Sequence, residues 1–138
     1  EYNNAFFLTR GEHPVYLSQD DIRQIQLAKS SICAGCLTLC HEHGIEPEQL
    51  DSLILAGAFG NYIDVDNALY IGLLPAAPRE KVLAVGNGAG SGVCRYLLDR
   101  AESARCEHIR AVTRHVELNA SAEFMEQYIM NMNFNILP

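Results

Sequence analysis

The stretch Asp51–Ser52–Leu53–Ile54–Leu55–Ala56–Gly57–Ala58–Phe59–Gly60–Asn61 decides how this chain folds. Its apolar or small residues from Leu53 to Gly57 are typical of a short strand that is buried on both faces. The strand ends in a Gly–Ala–Phe–Gly–Asn turn, and a helix is predicted from Asp64 to Leu74. A strand that leads through a glycine turn into a helix places free backbone N–H groups near the helix start, which suits a phosphate or a nucleotide. Most such turns serve only the fold, so this stretch alone leaves both interpretations open.

A second unit of the same kind follows. Lys81–Val85 predicts another short strand, and Gly86–Gly92 predicts a glycine turn before a helix from Val93 to Arg100. Two buried strands, each followed by a glycine turn and a helix, indicate a parallel sheet in which both turns lie at the carboxyl edge. We therefore predict an α/β fold with a small, mostly parallel sheet and flanking helices, and one cleft that both turns line.

The remaining elements are predicted from caps and from apolar periodicity. Ser18, with Asp21 three residues later, predicts a capping box, and apolar residues at three- and four-residue steps extend that helix to about His43, where Gly44 ends it. The other predicted elements are a hairpin of Ala5–Thr9 and Val15–Leu17, a turn at Pro47, a helix from Glu102 to about Val112, a strand at His115–Leu118, and a helix from Ser121 to about Met132.

The composition of the 138 residues predicts one ordered domain, 1–138, and indicates which kinds of binding partner the chain can have. A formal charge of −7 with no basic stripe argues against a nucleic acid or an anionic membrane. Five arginines between Arg95 and Arg114 alternate with acidic residues, which we interpret as a solvated mixed surface. No apolar run is long enough to span a membrane, and the cysteine usage favours a reducing, cytoplasmic location. Because the chain begins at Glu1 without an initiator Met, we expect a piece of a longer polypeptide.

One cysteine-rich segment is the candidate for a metal or redox site. Cys33, Cys36 and Cys40 lie close together, with His41 and His43 beside them. Closely spaced Cys and His residues bind zinc or iron–sulfur clusters, but this spacing matches no standard cluster pattern. The segment also keeps the period of the long helix, where a cysteine packs as a small apolar residue. We therefore predict buried thiols and no metal ligands in this chain, with a Cys-ligated metal or redox module as an alternative.

Four segments carry a resemblance to a known family when they are taken together and in order: Gln24–Ile–Gln–Leu–Ala–Lys29, Leu55–Ala–Gly–Ala–Phe–Gly–Asn–Tyr–Ile–Asp64, Ile71–Gly–Leu–Leu–Pro75 and Val85–Gly–Asn–Gly–Ala–Gly90. They resemble the reductive activators of corrinoid enzymes. Members of that family are iron–sulfur proteins that use ATP to drive an electron onto an inactive corrinoid cobalt. The resemblance covers the chain from about Phe6 to Phe134, and it implies the C-terminal lobe of an actin-like ATPase fold, the superfamily of sugar kinases and heat-shock chaperones.

The resemblance also implies where a nucleotide would bind. The turn after the first strand matches the adenosine motif of the superfamily, the second glycine turn matches a segment at the same cleft, and Lys29 lies on the helix that lines the base and the ribose. We expect a side chain at Gly57 to project into space that the ligand needs, and we expect Gly60 to be required by backbone strain. The implied nucleotide-binding residues are Lys29, Gly57, Ala58, Phe59, Gly60, Asn61, Gly86, Asn87 and Gly88.

Cofactors and partners follow from the same resemblance. It implies ATP, with Mg²⁺ in the full-length protein, and an iron–sulfur cluster upstream of this chain. The expected partners are the corrinoid protein of a methyltransferase system, the rest of the same polypeptide and a second copy. In this interpretation the parent protein is an ATPase coupled to electron transfer, whereas this chain alone is inactive and contributes no catalytic residue. The alternative is a lobe that has lost its nucleotide and serves only in docking or dimerisation.

Overall fold

The structure is a computed structural model that describes residues 5–134, apart from the side chain of Phe59. Within that range it contains six helices, four short strands and three short 3₁₀ turns. In chain order the elements are β1 (Phe6–Phe7), β2 (Tyr16–Leu17), α1 (Gln19–His43), β3 (Leu53–Ala56), α2 (Ala58–Tyr62), α3 (Val65–Tyr70), β4 (Val82–Gly86), α4 (Gly88–Leu98), α5 (Ala101–Val112) and α6 (Ala122–Met130), with 3₁₀ turns at Pro47–Gln49, Arg79–Lys81 and Leu118–Ala120.

Helix α1 begins and ends where its local sequence predicts. The Ser18 hydroxyl accepts a hydrogen bond from the Asp21 backbone N–H at 3.1 Å, and the Ser18 N–H donates to the Asp21 carboxylate at 2.9 Å. The bond from the Ser18 N–H, together with one that the Ser18 hydroxyl donates to the same carboxylate at 2.7 Å, holds the pKa of Asp21 below its ordinary value. Gly44 ends the helix in the left-handed conformation, at φ 75°. The predicted capping box and glycine cap are therefore confirmed.

One face of α1 packs against α6. Gly35 faces the 3₁₀ turn that precedes α6, where a Cβ atom would make an ordinary contact, at 3.5 Å, with the Leu118 side chain. The Ser30 hydroxyl donates a hydrogen bond across the interface to the backbone carbonyl of Tyr128. The predicted final helix is confirmed, with Ser121 as its N-cap. The buried residues of α1 are Lys29, Ser30, Cys33, Ala34, Gly35, Thr38 and Cys40.

Strands β3 and β4 form a two-stranded sheet, and they run parallel as predicted. Leu53 lies beside Val82, and both Leu53 and Leu55 pack against the main apolar core. On the other face of β3, Ile54 is 59% exposed. The prediction of a strand buried on both faces is wrong, because the described residues cover only one face of this sheet. The buried members of the core are Val65, Ala68, Leu73, Leu74 and Val82.

The helices after both strands begin earlier than predicted. The residues of the predicted Gly–Ala–Phe–Gly–Asn turn form most of α2, and α4 begins at Gly88, within the predicted turn Gly86–Gly92. Asn87 explains the second difference, because its side-chain oxygen accepts a hydrogen bond from the Gly90 N–H at 2.9 Å and caps the helix. Helix α3 ends before the predicted Leu74, because Gly72 takes a left-handed φ of 71°.

The predicted N-terminal hairpin is confirmed, whereas the predicted last strand is wrong. Strands β1 and β2 pair antiparallel, with Phe6 beside Leu17. The segment His115–Leu118 is not a strand: residues 115–117 have no regular structure and Leu118–Ala120 form a 3₁₀ turn. A strand needs a neighbouring strand for its backbone hydrogen bonds, and the described residues supply none there. In residues 5–134, every helix is too short or too polar to cross a membrane.

Candidate functional site

The carboxyl ends of β3 and β4 meet at the two glycine turns. The Gly57 backbone N–H donates a hydrogen bond to the Gly86 carbonyl oxygen at 2.5 Å, which joins the turns directly. Both glycines have left-handed backbones, with φ 75° at Gly57 and 62° at Gly86. The prediction that both turns lie at one edge of the sheet is confirmed. That this edge binds a nucleotide stays a prediction.

The two glycines of the first turn differ in what a side chain would meet at each position. Gly57 has open space around its missing Cβ, as a ligand would require, but its positive φ also disfavours any other residue there. Gly60 has an ordinary helical backbone, so the expectation of backbone strain is wrong. A Cβ atom at Gly60 would instead collide with the Leu55 carbonyl oxygen and lie 3.2 Å from the Gly86 nitrogen. Gly60 therefore allows α2 to pack closely on both strands.

Two asparagine side chains border the turns. Asn87 is occupied as the N-cap of α4. The exposed Asn61 has its side-chain oxygen over Gly86, 2.8 Å from the position that a Cβ atom would take there. Gly88 begins α4 against the ends of both strands, since its Cβ position lies 3.5 Å from Ala56. The two turns thus offer backbone groups and neutral amides, and by sequence neither turn contains a charged residue.

Lys29 lies in a different environment from the glycine turns. Its side chain is only 1% exposed, and its Nζ donates to the Asn131 carbonyl oxygen at 2.6 Å. The ammonium group also lies 5.5 Å from the ring centre of Phe134, and 3.4 Å from the Cβ position of Gly72. Burial lowers the pKa of Lys29. These contacts connect α1 with the end of α6, so the role of Lys29 at the base and ribose stays a prediction that no described contact supports.

The cysteine segment is helical, as predicted. Cys33 and Cys40 are buried and Cys36 is half-buried in α1, and burial raises the pKa of all three thiols. The Cys33 thiol lies 3.7 Å from the Asn131 side-chain oxygen. Among residues 5–134, no three His, Cys, Asp or Glu residues are placed to hold a metal ion. Metal analysis of the purified protein would test the prediction of metal-free thiols directly.

Sequence reasoning missed a cavity of 440 Å³ between α1, the Pro47 turn and the segment after α3. Gly72 lies in the wall of this cavity, and the sequence could have identified it as the end of a helix, because a glycine followed closely by a proline, here Pro75, commonly marks that position. Asn131 lines the other side of the cavity. No sequence pattern could have identified it, because its position depends on the packing of α6 against α1. Of the implied nucleotide-binding residues, none lines this cavity. Its lining includes Cys33, Leu37, Glu46, Tyr70, Gly72 and Asn131.

The fold and its two glycine turns define an α/β lobe, and comparison with known proteins identifies it as an actin-like domain. The family model described as "C-terminal domain of RACo the ASKHA domain" matches residues 3–136, so the chain belongs to this family. The chain is 44% identical over 140 residues to the corrinoid activation enzyme RamQ of Eubacterium limosum. This alignment covers 97% of the chain and 24% of RamQ.

Two further proteins are similar to this chain. A [Co(II) methylated amine-specific corrinoid protein] reductase of Methanosarcina barkeri is 24% identical over 125 residues, which cover 87% of this chain and 22% of the reductase. A solved reductive activator for a corrinoid, iron–sulfur protein superimposes with a TM-score of 0.78 at 30% identity, over 88% of this chain and 19% of that one. The chain therefore spans about a quarter or less of the length of the proteins that it matches.

Proposed function

We propose that this chain forms the nucleoside-contacting wall of an ATP cleft in a reductive activator of a corrinoid protein. The observation that carries the proposal is the pair of glycine turns joined by the Gly57–Gly86 hydrogen bond, in a chain that belongs to the RACo C-terminal family. The descriptions of the matched proteins refer to corrinoid activation or to corrinoid proteins, which supports a corrinoid protein as the partner. We assign that partner to a methyl-transfer system.

The turns suit the nucleoside better than the triphosphate. Gly57–Asn61 and Gly86–Gly90 contain no charged side chain, whereas a triphosphate is bound by cations and Mg²⁺. The open space at Gly57 lets a sugar or base approach the backbone closely. The exposed Asn61 amide offers both a hydrogen-bond donor and an acceptor. Residues outside these turns would therefore hold the phosphates and the Mg²⁺.

ATP would act on electron transfer by changing how this wall and a facing wall are arranged. A nucleotide shifts such an equilibrium only by binding one arrangement of the walls more tightly than the other. The contacts at Gly57 and Asn61 would differ between the two arrangements and so produce this difference in affinity. The described residues contain no fitting set of cluster ligands. We therefore assign the iron–sulfur cluster that the resemblance implies to residues outside this chain, and we derive no step through it.

A chimera tests the proposal. The matched region of Eubacterium limosum RamQ is replaced by this chain, and ATP-dependent reduction of the cobalt in the corrinoid protein is followed by absorbance spectroscopy. We expect the chimera to be active and Gly57→Val to weaken ATP binding at least about tenfold, roughly 1.4 kcal/mol. Gly92→Val is the matched control, because Gly92 has open space at its Cβ position and no positive φ. Unchanged ATP affinity and activity in the Gly57 variant would remove the turn from the site.

The chain by itself should bind adenosine nucleotides weakly. One wall of a cleft leaves the phosphates in water, so we expect a dissociation constant no tighter than about 0.1 mM, or roughly 5–6 kcal/mol of binding. Isothermal titration of the purified chain with ATP and ADP measures this. Sub-micromolar binding would contradict the assignment, because it would mean that the whole site lies within these residues.

A second candidate function is a lobe that has no nucleotide and serves in docking. The observation in its favour is the exposed apolar surface of α4 and α5, where Leu97 is 75% exposed and Val112 is 67% exposed. The chimera separates the two functions. A docking lobe would support activation of the corrinoid protein equally well with Gly57→Val, whereas a nucleotide wall would not.

A further inference from the structure

Lys81 joins the amino ends of the two parallel strands. It lies directly before β4, and its half-buried side chain turns towards the segment that precedes β3. The Nζ atom donates hydrogen bonds to the backbone carbonyls of Glu48, at 2.9 Å, and of Leu50, at 2.7 Å. Both carbonyls lie at the end of the 3₁₀ turn Pro47–Gln49, and the last carbonyls of a helical turn lack donors within it. One side chain therefore ties the start of β4 to the chain that enters β3.

The apolar pattern of β3 only partly fixes how this strand lies beside β4. Leu53 and Leu55 pack against the same core, whereas Ile54, between them, lies on the opposite, exposed face. A slip of one residue would exchange the two faces, and the core opposes it. A slip of two residues would bring Leu55 to the place of Leu53 beside Val82, so the core would still receive a leucine there. The apolar pattern therefore discriminates poorly between registers two residues apart, and a polar contact can decide between them.

The contact between the two glycine turns depends on this register. Ala56 pairs with Gly86, and Val85 is an extra residue that bulges from β4 just before the turn. This arrangement brings the Gly86 carbonyl to the Gly57 N–H. A slip of two residues would displace one turn from the other by about 7 Å, at about 3.3 Å per residue. That displacement would break the hydrogen bond that joins the turns.

We propose that Lys81 is a positioning residue of the candidate nucleotide site, because it selects the register in which the two glycine turns meet. This proposal rests on the function proposed above. Lys81 precedes Gly86 by five residues, or about 16 Å of strand, so it contacts no ligand bound at the turns. A slipped β3 would carry the Leu50 carbonyl away from the ammonium and break both hydrogen bonds. Lys81 thus acts as a buried polar residue does in a coiled coil, where it selects one register among several that apolar packing permits.

Arg79 offers a matched control within the same 3₁₀ turn as Lys81. Its guanidinium donates to the Val82 carbonyl at 3.3 Å and pairs with the Asp66 carboxylate at 3.0 Å. The first partner belongs to β4 and the second to α3, so neither lies in the segment before β3. Arg79→Met and Lys81→Met each remove one positive charge and keep a long apolar side chain. Only the Lys81 variant removes the hydrogen bonds to the chain that enters β3.

Hydrogen–deuterium exchange of the full-length protein, followed by mass spectrometry, tests the proposal, because the Gly57 amide reports whether the turns meet. We expect Lys81→Met to raise the exchange rate of this amide at least about tenfold, while the amides of α1 exchange as in the wild type. In isothermal titration the same variant should bind ATP at least about threefold more weakly. Lys81→Arg keeps charged donors on a long side chain and should restore most of both properties. Arg79→Met should stay within about twofold of the wild type in both measurements.

Two results would overturn the proposal. The first is unchanged exchange at Gly57 in Lys81→Met, which would show that contacts at the carboxyl ends hold the register alone. The second is equally faster exchange throughout the lobe, α1 included, which would give Lys81 a role in stability only. If Lys81→Met does not fold, Lys81→Gln, whose neutral side chain is one bond shorter, gives the milder form of the same loss. Faster exchange at Gly57 with unchanged ATP affinity would support the role of Lys81 in the register and contradict the nucleotide site, so the two proposals fail separately.

Discussion

The two sides of this molecule differ in whether their apolar residues find partners within the chain. Around α1 and α3, side chains such as Leu74 are 6% exposed, and the buried ammonium of Lys29 is hydrogen-bonded to Asn131. On α4 and α5, comparable apolar side chains such as Leu97 lie in water. The glycine turns lie between these sides. One side therefore supplies the stability of the lobe, while the other holds apolar area that no described residue buries.

The largest expected difference comes from one substitution made on both sides. Leu74→Ala should reduce the free energy of unfolding by about 3 kcal/mol, because it leaves a cavity in the core. Leu97→Ala removes the same atoms from an exposed site and should change it by less than about 0.5 kcal/mol. Urea unfolding followed by circular dichroism measures both. Similar losses would mean that α4 packs into the lobe, and the comparison would fail.

Removal of the buried amine should have the next largest effect. Lys29→Ala leaves the Asn131 carbonyl without its donor and opens a cavity, for a loss of about 2–3 kcal/mol. Arg23→Ala, on the exposed side of the same helix, removes only an exposed ion pair to Asp20 and should cost less than about 0.5 kcal/mol. Equal costs would show that the contact with Asn131 contributes nothing to stability.

The pKa of Lys29 adds a pH test. Burial lowers this pKa in the folded protein below the unfolded value, so the unfolded state binds the Lys29 proton more tightly. Between the lowered pKa and the unfolded value, this lysine should make the free energy of unfolding rise with pH. Below that window its contribution is constant. Comparison of urea midpoints for the wild type and Lys29→Met isolates the effect, and an identical pH dependence in both proteins would contradict it.

Gly60→Ala sharpens the comparison at the boundary between the two sides. The new Cβ would collide with the Leu55 carbonyl oxygen, so α2 must move away from the sheet, at a cost of about 2 kcal/mol. Gly92→Ala is the matched helical control, because its Cβ position is empty. That variant should be as stable as the wild type or slightly more so, since alanine favours a helix. If Gly60→Ala leaves the free energy of unfolding unchanged, α2 is not held against the strands.

Gly57→Ala should have the smallest effect of the series, about 1–2 kcal/mol. Its Cβ meets no described atom, so the cost comes only from the left-handed backbone. Gly57→Asn should recover part of that loss, because asparagine tolerates this conformation better. Thermal melts of the wild type, Gly57→Ala and Gly57→Asn give the order of their melting temperatures. If alanine and asparagine destabilise equally, the cause is crowding and not backbone conformation.

Much of the architecture could be predicted because its causes are local. The capping box of Ser18 and Asp21, the glycine end of α1 and the order of strand, turn and helix each depend on residues a few positions apart. The prediction of a last strand failed for the opposite reason. A strand at His115–Leu118 requires a distant pairing partner, which local composition does not reveal.

The candidate site was predictable in position but not in detail. Both glycine turns could be found from the Leu53–Gly57 run and its partner, and they do meet through the Gly57–Gly86 hydrogen bond. The reason for each glycine could not be found in the same way. The positive φ of Gly57 and the contact of Gly60 with Leu55 depend on how α2 lies against the strands.

The sequence by itself determined the helix limits of α1, the α/β class and the parallel pair of strands, since caps and apolar runs act over one or two turns of chain. Only the tertiary structure decided that Lys29 is buried against Asn131, a residue 102 positions away, and that α4 and α5 bury nothing. Burial depends on which distant segments come together, and neither helix propensity nor apolar spacing specifies that pairing.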